Sequence, residues 1–135
     1  MRTKRILYDG VFYRSGYESA IAKTNKTKGL IYEKTKIRYQ EINNRIYTPD
    51  WEIPAGISCT GESIFIEAKG IFSVGDRKKL LAIKKQHNLD IRLLFQRSTL
   101  KLSPKSKKSK TYSEWCETHG ILYAEGYKIP NEWFR

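Results

Sequence analysis

Residues 64–69 constrain the fold more than any other segment of this sequence. Residues 64–66 are three consecutive large apolar side chains, and Glu67, Ala68 and Lys69 follow them directly. Because strand side chains alternate between the two faces of a sheet, such an apolar run indicates a strand that is covered on both faces. The same alternation puts Glu67 and Lys69 on one face and Ala68 on the other. A carboxylate and an amine in a covered strand cost free energy unless they bind a ligand or each other.

A second carboxylate, Asp50, follows Pro49 at the end of residues 45–48, which have strand character. Proline has no N–H for a sheet ladder, so we expect this strand at an edge or a bulge, where a side chain can be directed at a site. If neighbouring strands bring Asp50 beside Glu67 and Lys69, the group suits Mg²⁺, which binds a few carboxylates together with water and phosphate. Such a metal would polarise a phosphate and activate a water, while Lys69 stabilises the developing charge. The pattern therefore predicts a metal-dependent phosphodiesterase site.

Each of these residues also has a purely structural interpretation. Asp50 alone is equally an ordinary strand-end residue, and Glu67 with Lys69 is equally an ion pair on an exposed strand. Glu18 lies three residues after Ser15 in a capping box, and taken alone it is more simply a helix cap. The apolar run before Glu67 argues against the ion-pair interpretation, because a strand covered on both faces is not an exposed one.

The charge of the chain restricts its partners. There are 26 Lys and Arg residues against 14 Asp and Glu residues, a formal net charge of +12. Nucleic acid is the expected partner, because each neutralised phosphate releases counterions, although charge alone leaves ribosomal, RNA-binding and membrane-surface proteins open. Residues 1–13 are interpreted as a basic arm or a loosely packed terminus, and residues 103–110 as a basic loop that either contacts phosphate or is only solvated. The side chains expected to contact DNA are Arg2, Lys4, Arg5, Arg14, Lys34, Lys36, Arg38, Arg77, Lys78, Lys79, Lys105, Lys107, Lys108 and Lys110.

No segment is apolar enough to span a bilayer, and the first nine residues lack the apolar core of a signal peptide. We therefore expect a cytoplasmic protein without a membrane partner. Cys59 and Cys116 form no zinc-binding spacing with His87 or His119, and both are expected to be reduced and non-catalytic. The sequence indicates no small-molecule cofactor.

The pattern of helices and strands predicts one α/β or α+β domain over residues 1–135, with a mixed central sheet flanked by helices. Gly29, Gly120 and the capping boxes at Ser15 and Thr111 set helix limits, and Ser73 and Asp76 are candidate caps for the helix between them. The predicted helices are 15–28, 73–86 and 111–120, the predicted strands are 31–39, 45–48, 64–69, 91–95 and 121–124, and a last partial turn is expected at 131–134.

Four blocks of sequence stand in order along the chain, and they are Arg14-Ser15-Gly16-Tyr17-Glu18, Tyr47-Thr48-Pro49-Asp50, Ile66-Glu67-Ala68-Lys69-Gly70 and Asp76-Arg77-Lys78-Lys79. They resemble the phage endonuclease I family of four-way DNA junction resolvases, in the PD-(D/E)xK nuclease superfamily. The similarity continues through His119-Gly120-Ile121 and Ile129-Pro130-Asn131-Glu132-Trp133. The resemblance implies that Asp50 and Glu67 are metal ligands together with the Ala68 carbonyl, that Lys69 is the catalytic lysine, and that Glu18 is a further acidic residue of the site. It also implies Mg²⁺ as the metal, with Mn²⁺ able to substitute.

The resemblance further implies an intertwined, strand-exchanged homodimer that cuts branched DNA during phage DNA processing. Resolution of a four-way junction needs two symmetric nicks, which a two-fold dimer supplies. Residues 40–46 are the candidate bridge between the subunits, and Glu18 would then act in trans, in the site of the partner chain. Two alternatives stay open: a PD-(D/E)xK nuclease of transposition or restriction type, and a non-catalytic basic DNA-binding protein.

Overall fold

The computed structural model describes residues 5–40 and 44–135, which form a mixed α+β fold, as the sequence predicts. Arg2, Lys4 and residues 41–43 of the candidate bridge lie outside the described residues. The strands are β1 (Ile6–Tyr8), β2 (Val11–Tyr13), β3 (Ile31–Tyr32), β4 (Ile37–Gln40), β5 (Asn44–Tyr47), β6 (Trp51–Ile53), β7 (Ile64–Lys69), β8 (Asp90–Phe95) and β9 (Tyr123–Glu125). The helices are α1 (Gly16–Thr24), α2 (Val74–Gln86) and α3 (Tyr112–Thr118), and Asn131–Trp133 form a 3₁₀ turn.

The central sheet contains five strands in the order β3-β6-β7-β8-β9, so β7 lies in the middle. β7 pairs antiparallel with β6 and parallel with β8, and β8 pairs parallel with β9, which makes the sheet mixed. Residues 64–66 are buried, which confirms the prediction of a strand covered on both faces. Residues 91–95, predicted to form a central strand, are also buried, between β7 and β9.

Two hydrophobic cores cover the opposite faces of this sheet. Phe65 belongs to the core that Leu80 of α2 also joins. Ile64 belongs to the other core, together with Ile21 of α1. By the alternation of a strand, Glu67 emerges on the same face as Phe65, the face that packs against α2.

Helix α1 ends at Thr24, four residues before the predicted end at Lys28. The side-chain amide of Asn25 donates to the carbonyl oxygens of Ile21 at 2.7 Å and Tyr127 at 3.0 Å. Asn25 Oδ1 also accepts the backbone N–H of Ile129 at 3.2 Å. A buried Asn that competes for a helical carbonyl ends the helix, and this long-range contact was not readable from the local sequence.

The single strand predicted over residues 31–39 is wrong, because two separate strands cover this segment. β3 pairs with β6 in the central sheet, whereas β4 pairs with β5 in a two-stranded hairpin. Glu33 has a left-handed backbone with φ of 46°, and its N–H donates to the Asp50 carbonyl at 3.1 Å. A non-glycine residue in this conformation interrupts a strand, so the chain leaves the central sheet at Glu33.

Residues 6–13, interpreted above as part of an arm without a regular period, form the β1–β2 hairpin. Asp9 and Gly10 at its turn both have positive φ, at 49° and 77°. This is the geometry of a tight two-residue hairpin turn, for which Asp-Gly is a strong sequence signal. The signal was present in the sequence and was missed.

The helix starts follow the predicted caps. The Ser15 side chain accepts the N–H of Glu18, and full capping boxes pair Ser73 with Asp76 and Thr111 with Glu114. The last strand begins at Tyr123, two residues later than predicted. None of the helices in the described ranges is long and apolar enough to cross a membrane. Both cysteines are free.

Candidate active site

Asp50 lies between β5 and β6, at the point where the chain passes from the β4–β5 hairpin into the central sheet. Trp51 pairs with Ile66 across the β6–β7 ladder, so the next pair of positions along it is Asp50 and Glu67. The backbone N–H of Ala68 donates to Asp50 Oδ2 at 3.0 Å. The structure thus brings Asp50 to the Glu67–Lys69 end of β7, the juxtaposition that the strand pattern predicted.

Two further carboxylates, those of Glu18 and Glu33, lie close to Asp50. Glu18 extends from the first turn of α1 and is 7% exposed, and Glu33 follows β3. One carboxylate oxygen from each of Glu18, Glu33 and Asp50 can be chosen so that all three lie within 4.8 Å of one another. The guanidinium of Arg14 pairs with Glu33 at 3.1 Å. Hard oxygen ligands at this spacing are the kind that divalent cations bind.

The acidic residues are packed closely enough to disfavour their charged forms. Burial, and then the charges of Asp50 and Glu33, raises the pKa of Glu18 to about 7, despite the opposing effect of Arg14. Burial and the nearby Asp50 also raise the pKa of Glu67 well above its ordinary value. Negative charge is therefore undercompensated here, and a bound cation would stabilise the ionised carboxylates.

Tyr47 is a buried neighbour of Glu67 to which the sequence pattern assigned no role. Its hydroxyl is fully buried with the rest of its side chain at the end of β5. Burial, followed by the charge of Glu67, raises the pKa of Tyr47 well above its ordinary value. A neutral phenol beside Glu67 favours the ionised carboxylate, since it lowers the pKa of that group.

Lys69 lies between two carboxylates. Its Nζ is 3.1 Å from Asp76 Oδ1 and 3.9 Å from Glu67 Oε2. Burial alone would lower the pKa of Lys69, but the charges of Glu67 and Asp76 outweigh burial and raise it. The Lys69 side chain is therefore a charged ammonium group that Asp76 and Glu67 hold at the end of β7.

A cleft of about 720 Å³ lies at this end of β7. Glu18, Asp50 and Lys69 line it together with Arg14 and Arg97, whose cations are exposed. The cleft thus combines carboxylates with cations, an arrangement that suits a metal ion and a phosphate at the same time.

The predicted DNA-contacting cations fall into two groups. Arg77 donates to the Phe72 carbonyl at 2.8 Å, and Lys79 Nζ lies 5.1 Å from the centre of the Tyr47 ring, so both pack against the protein. Arg14 pairs with Glu33 but stays 66% exposed at its side chain. The others within the described ranges are exposed, and they are Arg5, Lys34, Lys36, Arg38, Lys78, Lys105, Lys107, Lys108 and Lys110.

The basic loop at 103–110 contains no helix or strand, and its two ends are held together. Leu102 N–H donates to the Lys110 carbonyl at 2.8 Å, and Lys101 pairs with Thr111 in an isolated antiparallel bridge. Lys110 Nζ also donates to Thr118 Oγ1 at 3.0 Å. The two ends of the loop are therefore fixed, and its lysines are exposed to solvent between them.

Sequence reasoning missed Glu33, Arg97 and the ion pair of Lys69 with Asp76. Glu33 occupies one position in the regular alternation of residues 31–39, and no local motif distinguishes it from its neighbours. Asp76 carried a readable signal, because a capping residue seven positions after Lys69 starts the helix that follows β7. Arg97 stands just beyond the end of β8, which is parallel to β7, so adjacency of the two strand ends could have indicated it.

Comparisons with known proteins show the family of this chain. The family described as Phage endonuclease I matches residues 2–135. Endonuclease I of Escherichia phage T7 is 42% identical over 127 residues, which cover 91% of this chain and 78% of that protein. Endodeoxyribonuclease 1 of Enterobacteria phage T3 is 44% identical over 120 residues, which cover 86% of this chain and 73% of that protein. The chain therefore belongs to the phage endonuclease I family.

Proposed function

We propose that this protein is a structure-selective endodeoxyribonuclease that resolves four-way (Holliday) junctions and other branched DNA by metal-dependent phosphodiester hydrolysis, in phage DNA processing. The names of the T7 and T3 relatives support DNA cleavage. The formal net charge of +12 supports a polyanionic substrate. The observation that carries the proposal is the position of Asp50, which lies between the carboxylates of Glu18 and Glu33 on one side and the Glu67–Lys69 end of β7 on the other.

The metal would be Mg²⁺, with Mn²⁺ able to substitute. Asp50 and Glu67 would hold it together with the Ala68 carbonyl, and Glu18 and Glu33 offer further oxygen ligands beside Asp50. The donor set fits, because hard carboxylate oxygens suit both cations and because the raised pKa values mark uncompensated negative charge. The backbone N–H and C=O of a strand residue point to the same edge of the strand. The Ala68 N–H donates to Asp50, so the Ala68 carbonyl also points to the edge where Asp50 lies.

The metal would supply Lewis acidity to the scissile phosphate and a water of lowered pKa. The side chains of the protein prepare the site for that chemistry. The Ala68 N–H fixes Asp50, and burial fixes Glu67. The Lys69 ammonium, 3.9 Å from Glu67, would stabilise the negative charge that develops on the phosphate.

Domain organisation and assembly are part of the same proposal. Residues 1–135 form one nuclease domain with a basic loop at 103–110, and it acts as a homodimer. In place of the arm expected over 1–13, residues 6–13 form the β1–β2 hairpin. Glu18 and Asp50 lie together within one chain in the structure. In a strand-exchanged dimer joined through residues 40–46, the same contact would form between Glu18 and Asp50 of the partner subunit.

Selectivity would come from branch shape and phosphate contacts, since the exposed cations Arg14 and Arg97 line the cleft and contacts of this kind carry no base information. The deciding experiment incubates the protein with a labelled four-way junction and a matched linear duplex, with Mg²⁺ or with a chelator. We expect cleavage of the junction in Mg²⁺ only, and none by an Asp50→Asn protein prepared in parallel, which controls for a contaminating nuclease. Equal cleavage of linear duplex would favour a transposition or restriction type of nuclease. Binding without any cleavage would favour a non-catalytic DNA-binding protein.

A further inference from the structure

The partner that approaches the Lys69 ammonium most closely is Asp76, outside the acidic group described above. Lys69 Nζ lies 3.1 Å from Asp76 Oδ1 and 3.9 Å from Glu67 Oε2. Both Lys69 and Asp76 have side chains that are 23% exposed, so the pair is partly shielded from water. This contact is a charge-assisted hydrogen bond, which is stronger than a neutral one and holds the ammonium close to Asp76.

Asp76 is itself held in place by the start of α2. Its Oδ2 accepts the backbone N–H of Ser73 at 2.9 Å, and its own N–H donates to Ser73 Oγ at 3.1 Å. The two oxygens therefore serve different partners, one the helix cap and the other Lys69. The carboxylate can rotate away from Lys69 only if Oδ2 gives up its bond to the Ser73 backbone N–H.

The segment between β7 and α2 is anchored in the core. Phe72 is buried, its N–H donates to the Tyr112 hydroxyl at 3.2 Å, and its carbonyl accepts from Arg77 Nη1 at 2.8 Å. The Phe72 ring also packs edge-on against Phe95 and Trp115. Asp76 is thus attached to a rigid part of the fold rather than to a free loop.

We propose that Asp76 is a positioning residue that holds the Lys69 ammonium in the cleft when Glu67 is engaged by the metal. This inference rests on the nuclease function proposed above. Once Glu67 is bound to a cation, its attraction for Lys69 weakens, and the cation itself repels the ammonium. Asp76 is then the carboxylate in contact with Lys69 that is free to keep it beside the scissile phosphate. Asp76 thus orients the lysine through Oδ1, while its Oδ2 accepts the Ser73 backbone N–H, a bond that does not depend on the Ser73 side chain.

The test separates the two duties of Asp76. Asp76→Asn keeps a side-chain oxygen for the Ser73 N–H and removes the charge that holds Lys69. Ser73→Ala is the matched control, because it removes one cap bond and leaves the Asp76–Lys69 pair intact. Asp76→Glu restores the charge and keeps a good capping residue. Each variant is measured for the single-turnover cleavage rate of a labelled four-way junction in Mg²⁺, for junction binding in chelator, and for its unfolding midpoint.

We expect Asp76→Asn to lower the cleavage rate by about 100-fold, the cost of a reacting group displaced by about 1 Å, with unchanged junction binding. Asp76→Glu should recover most of this loss, and Ser73→Ala should lower the unfolding midpoint while it cleaves at the wild-type rate below that midpoint. If Asp76→Asn cleaves at the wild-type rate while Lys69→Ala is inactive, the positioning role of Asp76 is overturned and the catalytic role of Lys69 stands. Equal rate losses in Ser73→Ala and Asp76→Asn would also overturn it, in favour of capping. An active Lys69→Ala would instead refute the catalytic role proposed for Lys69.

Discussion

The backbone N–H of Ala68 donates to Oδ2 of Asp50 across 3.0 Å, which ties the end of β7 to the loop that enters β6. β7 is the middle strand of the five and is paired on both sides, so the sheet fixes its position. Asp50 lies outside the strands, but its bond to the Ala68 N–H holds its carboxylate against β7. The site therefore has fixed carboxylates before any metal arrives, and this lowers the cost of binding one.

Loss of a single metal-site or lysine group should stop cleavage without loss of binding. We expect Asp50→Asn, Glu67→Gln and Lys69→Ala each to reduce the junction cleavage rate by at least about 100-fold, because these groups stabilise charge at the reacting phosphate. Junction binding in chelator should persist, since the exposed cations outside the cleft are unchanged. Rates and gel-shift affinities measured on the same preparations check this. Near-wild-type cleavage by any one variant would remove that residue from the site.

Glu33 should contribute to metal affinity. Its carboxylate oxygen lies within 4.8 Å of those of Glu18 and Asp50, so Glu33→Gln should raise the Mg²⁺ concentration needed for half-maximal cleavage. Removal of a ligand group near a metal typically costs about 10–100-fold in affinity or activity, so a shift of that size is expected. Glu52→Gln is the matched control, because Glu52 accepts from Ser63 at 2.9 Å and is not part of the group formed by Glu18, Glu33 and Asp50. An unchanged Mg²⁺ requirement would restrict Glu33 to its ion pair with Arg14.

The crowded carboxylates predict how stability depends on pH in the absence of metal. Burial, Asp50 and Glu33 raise the pKa of Glu18 to about 7 from an ordinary value of 4.5, so the folded state holds this proton more tightly than the unfolded state. Stability should therefore fall as pH rises from about 4.5 to about 7. In chelator, the free energy of unfolding of Glu18→Gln should rise relative to that of the wild type over this pH range. In saturating Mg²⁺, the free energies of unfolding of the two proteins should depend on pH with the same slope. A parallel pH dependence of the two proteins would contradict this.

The parts of the site that are local in sequence could be predicted. The apolar run before Glu67 identified a covered strand, and alternation placed Lys69 on the face of Glu67. The cap that holds Asp76 was also readable, because a serine followed three residues later by an acid is a local signal. Each of these conclusions depends on neighbours within a few positions of one another.

The remaining parts depend on contacts between distant residues. Glu33 reaches the site because its backbone turns left-handed and bonds the Asp50 carbonyl, 17 positions away in the numbering, and the surrounding alternation of residues 31–39 hides this break. Asn25 ends α1 through bonds to Tyr127 and Ile129, which no local pattern reveals. The Asp9-Gly10 hairpin turn is different, since its signal is local.

The basic loop should bind phosphate groups through interactions that salt weakens. Its four lysines, Lys105, Lys107, Lys108 and Lys110, are exposed on a loop whose ends are held together. Replacing all four by Ala should weaken junction binding and flatten the plot of log affinity against log salt by about 0.9 for each phosphate that is no longer neutralised. Binding titrations over a range of salt concentrations measure the slope. An unchanged slope would show that the loop is only solvated.

A mixed dimer decides whether Glu18 acts in its own chain or in its partner. One chain carries Glu18→Ala and the other carries Asp50→Ala, and co-expression with two affinity tags isolates the heterodimer, because an intertwined dimer would not exchange on mixing. If Glu18 acts in trans, one site receives both changes and the other receives neither, so the mixed dimer should nick one strand of a junction. If Glu18 acts in cis, each site carries one change and the mixed dimer should be inert. A pure heterodimer that binds junctions and makes no nick would thus refute strand exchange of Glu18 and leave it beside Asp50 of its own chain, where the described chain places it.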